Sequence, residues 1–141
     1  MNRTIANLRE SAALSIDSAS ESGSVVSFEV IAQNLSGHKL PTGYPSRRAW
    51  LHVTVRDRNG ALLFESGAIG PAGQIIGNDN DFDGVQVEPH YTEITSADQV
   101  QIYESVMGDA TGRPRTGLLN AVRFRKDNRL LPRGFERRRR P

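Results

Sequence analysis

Apolar and polar residues alternate in several short segments of this chain, which is the pattern of half-buried β-strands. In "SVVSFEVIAQN", the residues Val26, Phe28, Val30 and Ala32 fall on one face of a strand. The pattern returns in "AWLHVTVRD", in "ALLFESG" and in "DQVQIYESVM", and "LLNAVRFRKDNRLLP" predicts one more strand. Asn59-Gly60 lies between two of these segments, so it predicts a hairpin turn.

The N-terminal segment has a helical period instead. In "NRTIANLRESAAL", Ile5, Leu8, Ala12 and Ala13 recur at helical spacing, and Thr4 is placed to cap the helix. The polar "SASESGS" that follows is expected to be a loop. A short helix therefore precedes the first strand.

Short strands separated by Gly-, Pro-, Asn- and Asp-rich loops predict a mainly β protein. The expected fold is an antiparallel β-sandwich, immunoglobulin-like, with a short N-terminal helix. A chain of 141 residues fits one domain. We expect that domain to span residues 1–136, with residues 137–141 forming a basic C-terminal tail.

The composition excludes several classes of chemistry. The chain has no cysteine, so it holds no disulfide, no thiolate zinc site and no covalently attached haem. Neither a nucleophile elbow nor a phosphate-binding loop occurs, so no enzyme is predicted. Because no secretory leader and no membrane-spanning apolar run is present, the chain as written is expected in the cytoplasm.

Charge is unevenly distributed along a chain whose net charge is only +2. Residues 123–140 are strongly basic and end in four consecutive arginines, whereas residues 79–109 contain acids and neither Lys nor Arg. A basic tail attracts nucleic acid in some proteins. The tail lacks interleaved aromatic residues, so a solvated tail is favoured and nucleic-acid binding is not expected.

The loop "NLSGHKLPTGYPSRRAW" combines glycines and prolines that restrict its shape with residues that can bind. His38 is able to ligate a metal or haem iron, donate a proton, or simply hydrogen-bond a nearby carbonyl. Arg47 and Arg48 are placed to cap carboxylates or to bind an anion. The predicted binding loop consists of Gly37, His38, Lys39, Pro41, Thr42, Gly43, Arg47 and Arg48.

Two other segments carry ligand-type side chains. In "GNDNDFDG", the acids Asp79, Asp81 and Asp83 alternate and offer the oxygen-rich chemistry that calcium prefers, although the EF-hand pattern is absent. An ordinary acidic surface loop is the alternative. In "EPHYTEI", His90 and its neighbour Tyr91 are further candidates. A metal-dependent binding protein or enzyme that uses His38, His90 and the acidic loop is therefore a second hypothesis.

Several segments together resemble a known family. The runs "GHKLPTGYPSRRAWLHVTVRDRNGALLFESGA", "EPHYTEI", "DQVQIYESVM" and "LLNAVRFRKDNRLLPRGF" are similar to the C-terminal β-rich domain of multihaem c-type cytochromes of the cytochrome c-554-like group. The resemblance spans roughly residues 5–136. Family members bind haem through CxxCH motifs in a separate N-terminal region, which has no counterpart here, and they work in the periplasm or outside the cell.

The resemblance implies a non-enzymatic interaction or scaffold module with no haem attachment of its own. His38 resembles a haem ligand or haem-contacting residue, which would act only together with a haem-bearing cytochrome partner. Such domains continue with further strands where this chain ends, so an open sheet edge is expected. A homodimer or larger assembly, with strand exchange as one route, is the resulting prediction.

Overall fold

The computed structural model describes residues 2–135, and it divides the chain into two compact units. The first unit holds the chain up to Leu40 and again from Leu130, and the second unit is Pro41–Arg129. The predicted tail at residues 137–141 lies outside the described residues. The elements are α1 (Asn2–Glu10), β1 (Ala12–Ser22), β2 (Val25–Asn34), β3 (Arg48–Trp50), β4 (Val53–Arg56), β5 (Leu62–Ser66), α2 (Asn80–Asp83), β6 (Ile102–Gly108), β7 (Pro114–Arg115) and β8 (Arg123–Asp127).

The predicted N-terminal helix is confirmed, but it is shorter than expected. Helix α1 ends at Glu10, and Ser11 closes it by donating its hydroxyl to the carbonyl of Asn7 at 2.6 Å. Ala12 and Ala13 belong to β1. Thr4 lies inside the helix, so its assignment as the cap was wrong.

Strands β1 and β2 form an antiparallel ribbon in the first unit. Strand β2 was predicted, whereas the prediction of a loop at "SASESGS" was wrong, because most of it belongs to β1. Serines have little strand preference of their own, but pairing with the Val-rich β2 overrides it. The register shifts between Asp17 and Ser20, where Ser18 has a φ of 53° and forms a bulge.

In the second unit, β6 lies at the centre of an antiparallel sheet. Strands β3, β7 and β8 all pair with β6, and β4 pairs with β5 in a separate hairpin. The segment "AWLHVTVRD", predicted as one strand, is therefore two strands in two sheets. Alternation is the same in both strands, so the sequence pattern holds no sign of the break.

The core of the second unit is small. Ile75, Val100 and Ile102 are fully buried, and Trp50 packs against them while its indole N–H donates to the carbonyl of Gly67 at 3.0 Å. The predicted turn of the β4–β5 hairpin is confirmed, with Gly60 at a φ of 85°.

The described residues thus form a mainly β protein with antiparallel sheets and a short N-terminal helix, as predicted. Within residues 2–135, neither helix has the length and apolar character required to cross a bilayer.

Candidate functional site

Asn34, the last residue of β2, organises the loop that carries His38. Its side chain is 4 % exposed, and its amide nitrogen donates to the carbonyls of His38 at 2.6 Å and Leu130 at 3.2 Å. Its amide oxygen accepts the backbone N–H of Ser36 at 2.9 Å. A single buried amide therefore connects three points of the backbone around His38.

Backbone hydrogen bonds hold the same loop from its other end. Leu40 and Leu130 exchange two N–H···O bonds of 3.0 and 2.9 Å, and Arg133 N–H donates to the carbonyl of Ser36 at 3.2 Å. These contacts join residues that are about ninety positions apart in sequence. The loop therefore has one preferred backbone shape without any ligand.

The imidazole of His38 is exposed and has a defined tautomer. Its Nδ1 lies 3.1 Å from the carbonyl oxygen of Lys39 and 3.3 Å from the hydroxyl of Ser36. A carbonyl oxygen only accepts, so Nδ1 carries the proton. In the neutral imidazole with Nδ1 protonated, Nε2 carries the lone pair, and within residues 2–135 no hydrogen bond reaches it.

His90 has the opposite arrangement. Its Nδ1 lies 2.8 Å from the amide nitrogen of Gln101 and 3.2 Å from that of Asn128. The orientations of both amides are set by backbone groups, because Gln101 Oε1 accepts Tyr91 N–H and Asn128 Nδ2 donates to the carbonyl of Ile102. Nδ1 of His90 is therefore an acceptor, and Nε2 carries the proton. In this state, His90 offers no lone pair to a metal.

His52 is paired with a carboxylate. Its Nε2 lies 2.8 Å from Oε1 of Glu65 across the β4–β5 hairpin. This contact requires an N–H at Nε2 of His52. Of the three histidines, His38 alone therefore presents its exposed Nε2 as an acceptor.

The arginine pair of the predicted binding loop has two different roles. Arg48 binds Asp81 through two parallel hydrogen bonds of 2.7 and 2.9 Å, so the expectation that an arginine here caps a carboxylate is confirmed. Burial by itself raises the pKa of Asp81, but Arg48 and the N–H of Ile75 more than offset it and lower that pKa below its ordinary value. Arg47 reaches back to the carbonyl of Thr42 at 3.4 Å.

The remaining residues of the predicted binding loop divide between the two units. In the first, Gly37 is exposed and Lys39 is half-buried. In the second, Pro41 is buried, while Gly43 has a φ of 78°, which favours glycine. The local shapes of both segments are thus determined by backbone conformation and hydrogen bonding.

The acidic loop uses most of its carboxylates internally. Asp81 accepts from Arg48 and Ile75, and Asp83 accepts the N–H groups of Val85 and Gln86, which lower its pKa. Asp79 is exposed in the same loop. Across residues 2–135, no group of three or more His, Asp or Glu side chains is arranged to hold a metal ion. Calcium binding here stays a prediction.

Tyr91 belongs to the same hydrogen-bonded network as His90. Its hydroxyl donates to Glu88 Oε2 at 3.3 Å, and Glu88 Oε1 accepts Asp79 N–H at 2.9 Å. Burial, with the neighbouring Glu88 carboxylate, raises the pKa of the Tyr91 hydroxyl. These contacts connect the His90 segment to the acidic loop, and they give both residues a structural role.

A carboxylate in the turn after β6 predicts a specific pH dependence. The Asp109 carboxylate accepts hydrogen bonds from the hydroxyl of Thr111, from Arg115 and from the N–H groups of Arg113 and Thr111, which hold its pKa well below the usual range. We expect Asp109→Asn to lower the melting temperature between pH 5 and 7. Because the native pKa is depressed, the stabilisation is complete above the unfolded pKa of about 3.9 and is lost as pH falls towards the native pKa.

Thermal unfolding from pH 7 to pH 2 tests this expectation. The difference between the wild type and Asp109→Asn should narrow steadily below about pH 4. Glu93→Gln changes an exposed acid in the same unit and serves as the control. A difference for Asp109→Asn that stays constant down to pH 2 would show that carboxylate ionisation is not its cause.

No protein-family model, no curated protein and no solved structure matches this chain. The case for a site therefore rests on the geometry itself.

Sequence reasoning singled out His38 but missed Asn34, which holds the loop. A signal for Asn34 was present, because it continues the apolar face formed by Phe28, Val30 and Ala32, and a polar residue in such a position usually makes buried hydrogen bonds.

Proposed function

We propose that this chain is a non-enzymatic interaction module that docks on a haem-bearing protein and presents His38 to it. The acceptor Nε2 of His38, on a loop held by Asn34 and Leu130, is the observation that carries the proposal. The resemblance to the accessory domain of multihaem cytochromes supports the same role. The chain supplies the ligand, and the partner supplies the haem.

The chemistry of His38 suits an axial ligand of haem iron. An imidazole that donates Nδ1–H to a backbone carbonyl has a fixed ring plane and presents Nε2 to a metal. A loop that is already ordered also loses little conformational entropy when it binds. His38 would therefore coordinate the iron of a partner without any change in its own loop.

We further propose that the antiparallel sheets belong to an immunoglobulin-like β-sandwich. The support is that every strand pair in residues 2–135 is antiparallel and that the β4–β5 hairpin forms a sheet apart from β6 and its neighbours. In such a fold, loops at the ends of the strands carry the binding residues.

A ferric haem peptide with one histidine ligand and one open coordination position is the probe for this proposal. We expect the wild-type chain to convert it to a low-spin, two-histidine spectrum. His38→Ala should weaken that binding at least tenfold, because the coordinating nitrogen is removed. Absorption titration of the Soret band measures the effect.

His52→Ala is the matched control, since His52 is also exposed but its Nε2 is occupied by Glu65. This variant should bind the haem peptide as the wild type does. Equal binding by His38→Ala and the wild type would contradict the role of His38. An absence of any low-spin species with the wild type would contradict the proposed function itself.

A further inference from the structure

The β1–β2 ribbon has an acidic face, and no ion pair within residues 2–135 involves its carboxylates. Asp17 and Glu29 are direct partners in the antiparallel register, so their side chains lie side by side on one face. Both are exposed, and residues 10–38 contain four acids and neither Lys nor Arg. Like charges directly opposite each other destabilise a strand pair. The ribbon would therefore gain stability from a cationic group placed over this face.

A basic surface lies on the second unit. Residues 110–126 contain five Lys and Arg residues and no acid. Arg115 is paired with Asp109, and Lys126 with Glu104. Three arginines are left exposed and in no ion pair within residues 2–135. This basic surface consists of Arg113, Arg123 and Arg125.

Two of these arginines belong to β8, whose register with β6 shifts between Val106 and Met107. Arg123 is the register partner of Gly108 on β6, and the aliphatic stem of Arg125 lies over Gly108. Strand β8 pairs only with β6 in the described part of the chain, so it is an edge strand. Both arginines therefore lie near Gly108 at this edge of the sheet. Arg125 also donates one N–H to the carbonyl of Val85 at 3.3 Å, which leaves its other guanidinium N–H groups for a carboxylate.

We propose that the acidic face of the ribbon in one copy of this chain docks on the basic surface of a second copy. Two neighbouring carboxylates, Asp17 and Glu29, face two neighbouring guanidinium groups, Arg123 and Arg125. The planar guanidinium group of an arginine binds a carboxylate through two parallel hydrogen bonds. The long, flexible arginine side chains can adjust the distance between the two guanidinium groups to the distance between the two carboxylates. The occupant is a second copy because the acidic and basic surfaces are complementary and belong to the same chain.

The contact joins different surfaces of the two copies, so it is a head-to-tail interface. Such interfaces close into rings or continue as open chains. The contact is electrostatic and exposed, so its strength depends on salt. It involves neither His38 nor strand exchange, so its outcome is separable from that of the haem-binding proposal.

Sedimentation equilibrium of the full chain tests the association. The average mass should rise with protein concentration at 20 mM NaCl and return to the monomer at 500 mM NaCl. Two charge reversals, Asp17→Lys with Glu29→Lys and Arg123→Glu with Arg125→Glu, should each weaken self-association at least tenfold. An equimolar mixture of the two doubly reversed chains should associate again, because each acidic face then meets a basic one.

Arg58→Glu with Glu93→Lys is the control, since it reverses two exposed charges that belong to neither surface. It should self-associate as the wild type does. Circular dichroism of every variant checks that it is folded. The proposal is overturned if the wild type stays monomeric at low salt, and this holds also if its basic surface is found to bind DNA. It is equally overturned if the mixture of the two reversed chains fails to associate.

Discussion

Lys126→Ala is expected to lower the free energy of unfolding by about 3–5 kcal/mol, because it leaves a buried carboxylate without its cation. Lys126 Nζ lies 2.9 Å from Glu104 Oε1, and each side chain is only 8 % exposed. Val106, two residues beyond Glu104 on β6, is the register partner of Lys126, so the pair forms diagonally across two strands. Urea unfolding followed by circular dichroism measures the loss.

Replacing both members of the pair separates the desolvation cost from the value of the ion pair. We expect Glu104→Leu with Lys126→Met to be more stable than Lys126→Ala, since no buried charge is left unpaired. Arg58→Ala removes an exposed cation and should change stability by less than about 0.5 kcal/mol. A loss below about 1 kcal/mol for Lys126→Ala would mean that water reaches Glu104 and that the pair behaves as a surface ion pair.

Strands whose own side chains alternate were predictable from the sequence. Strand β2, the β4–β5 hairpin, β6 and β8 all follow this pattern, and the structure confirms them. Strand β1 was missed because its serines carry a weak local signal, and pairing with β2 determines its conformation. Local patterns therefore predict a strand only where its own residues, rather than its partner's, favour extension.

Other features depend on contacts that no local pattern contains. Trp50 and Val53 lie three positions apart in one alternating run, yet β3 pairs with β6 and β4 pairs with β5. Helix α2 lies inside the acidic segment "GNDNDFDG", whose Gly- and Asp-rich composition hides a single helical turn. Partner choice and single turns are determined by tertiary packing, which sequence periodicity does not report.

In the candidate site too, some features were predictable from the sequence and others depend on long-range contacts. His38 stood out because it lies in a loop that is rich in glycine and proline. Which of its nitrogens carries the proton depends on the carbonyl of Lys39, and the backbone of His38 is held by Asn34. The state of His90 likewise depends on Asn128, which is 38 positions away. Sequence therefore indicates which side chains can act, and long-range hydrogen bonds decide which nitrogen each one presents.

Gly67→Ala is expected to destabilise the second unit by about 2–5 kcal/mol, because it adds a clash to a strained backbone. Gly67 has a φ of 76°, which residues with a side chain rarely adopt. A Cβ there would collide with the carbonyl oxygen of Leu51 and would lie 3.2 Å from both Trp50 and Val100. Trp50 is the only tryptophan, so its fluorescence reports both the unfolding and any shift of the core.

Gly73→Ala is the matched control for this prediction. Gly73 has a similar φ of 84°, but a Cβ there would have no atom within 4 Å. Gly73→Ala should therefore lower the free energy of unfolding only by the cost of backbone strain, about 1–2 kcal/mol. It should leave the fluorescence of Trp50 unchanged. The difference between the two variants isolates the packing of Gly67 against Leu51, Trp50 and Val100. Equal losses would mean that the core relaxes around the added methyl group and that backbone strain alone requires glycine at residue 67.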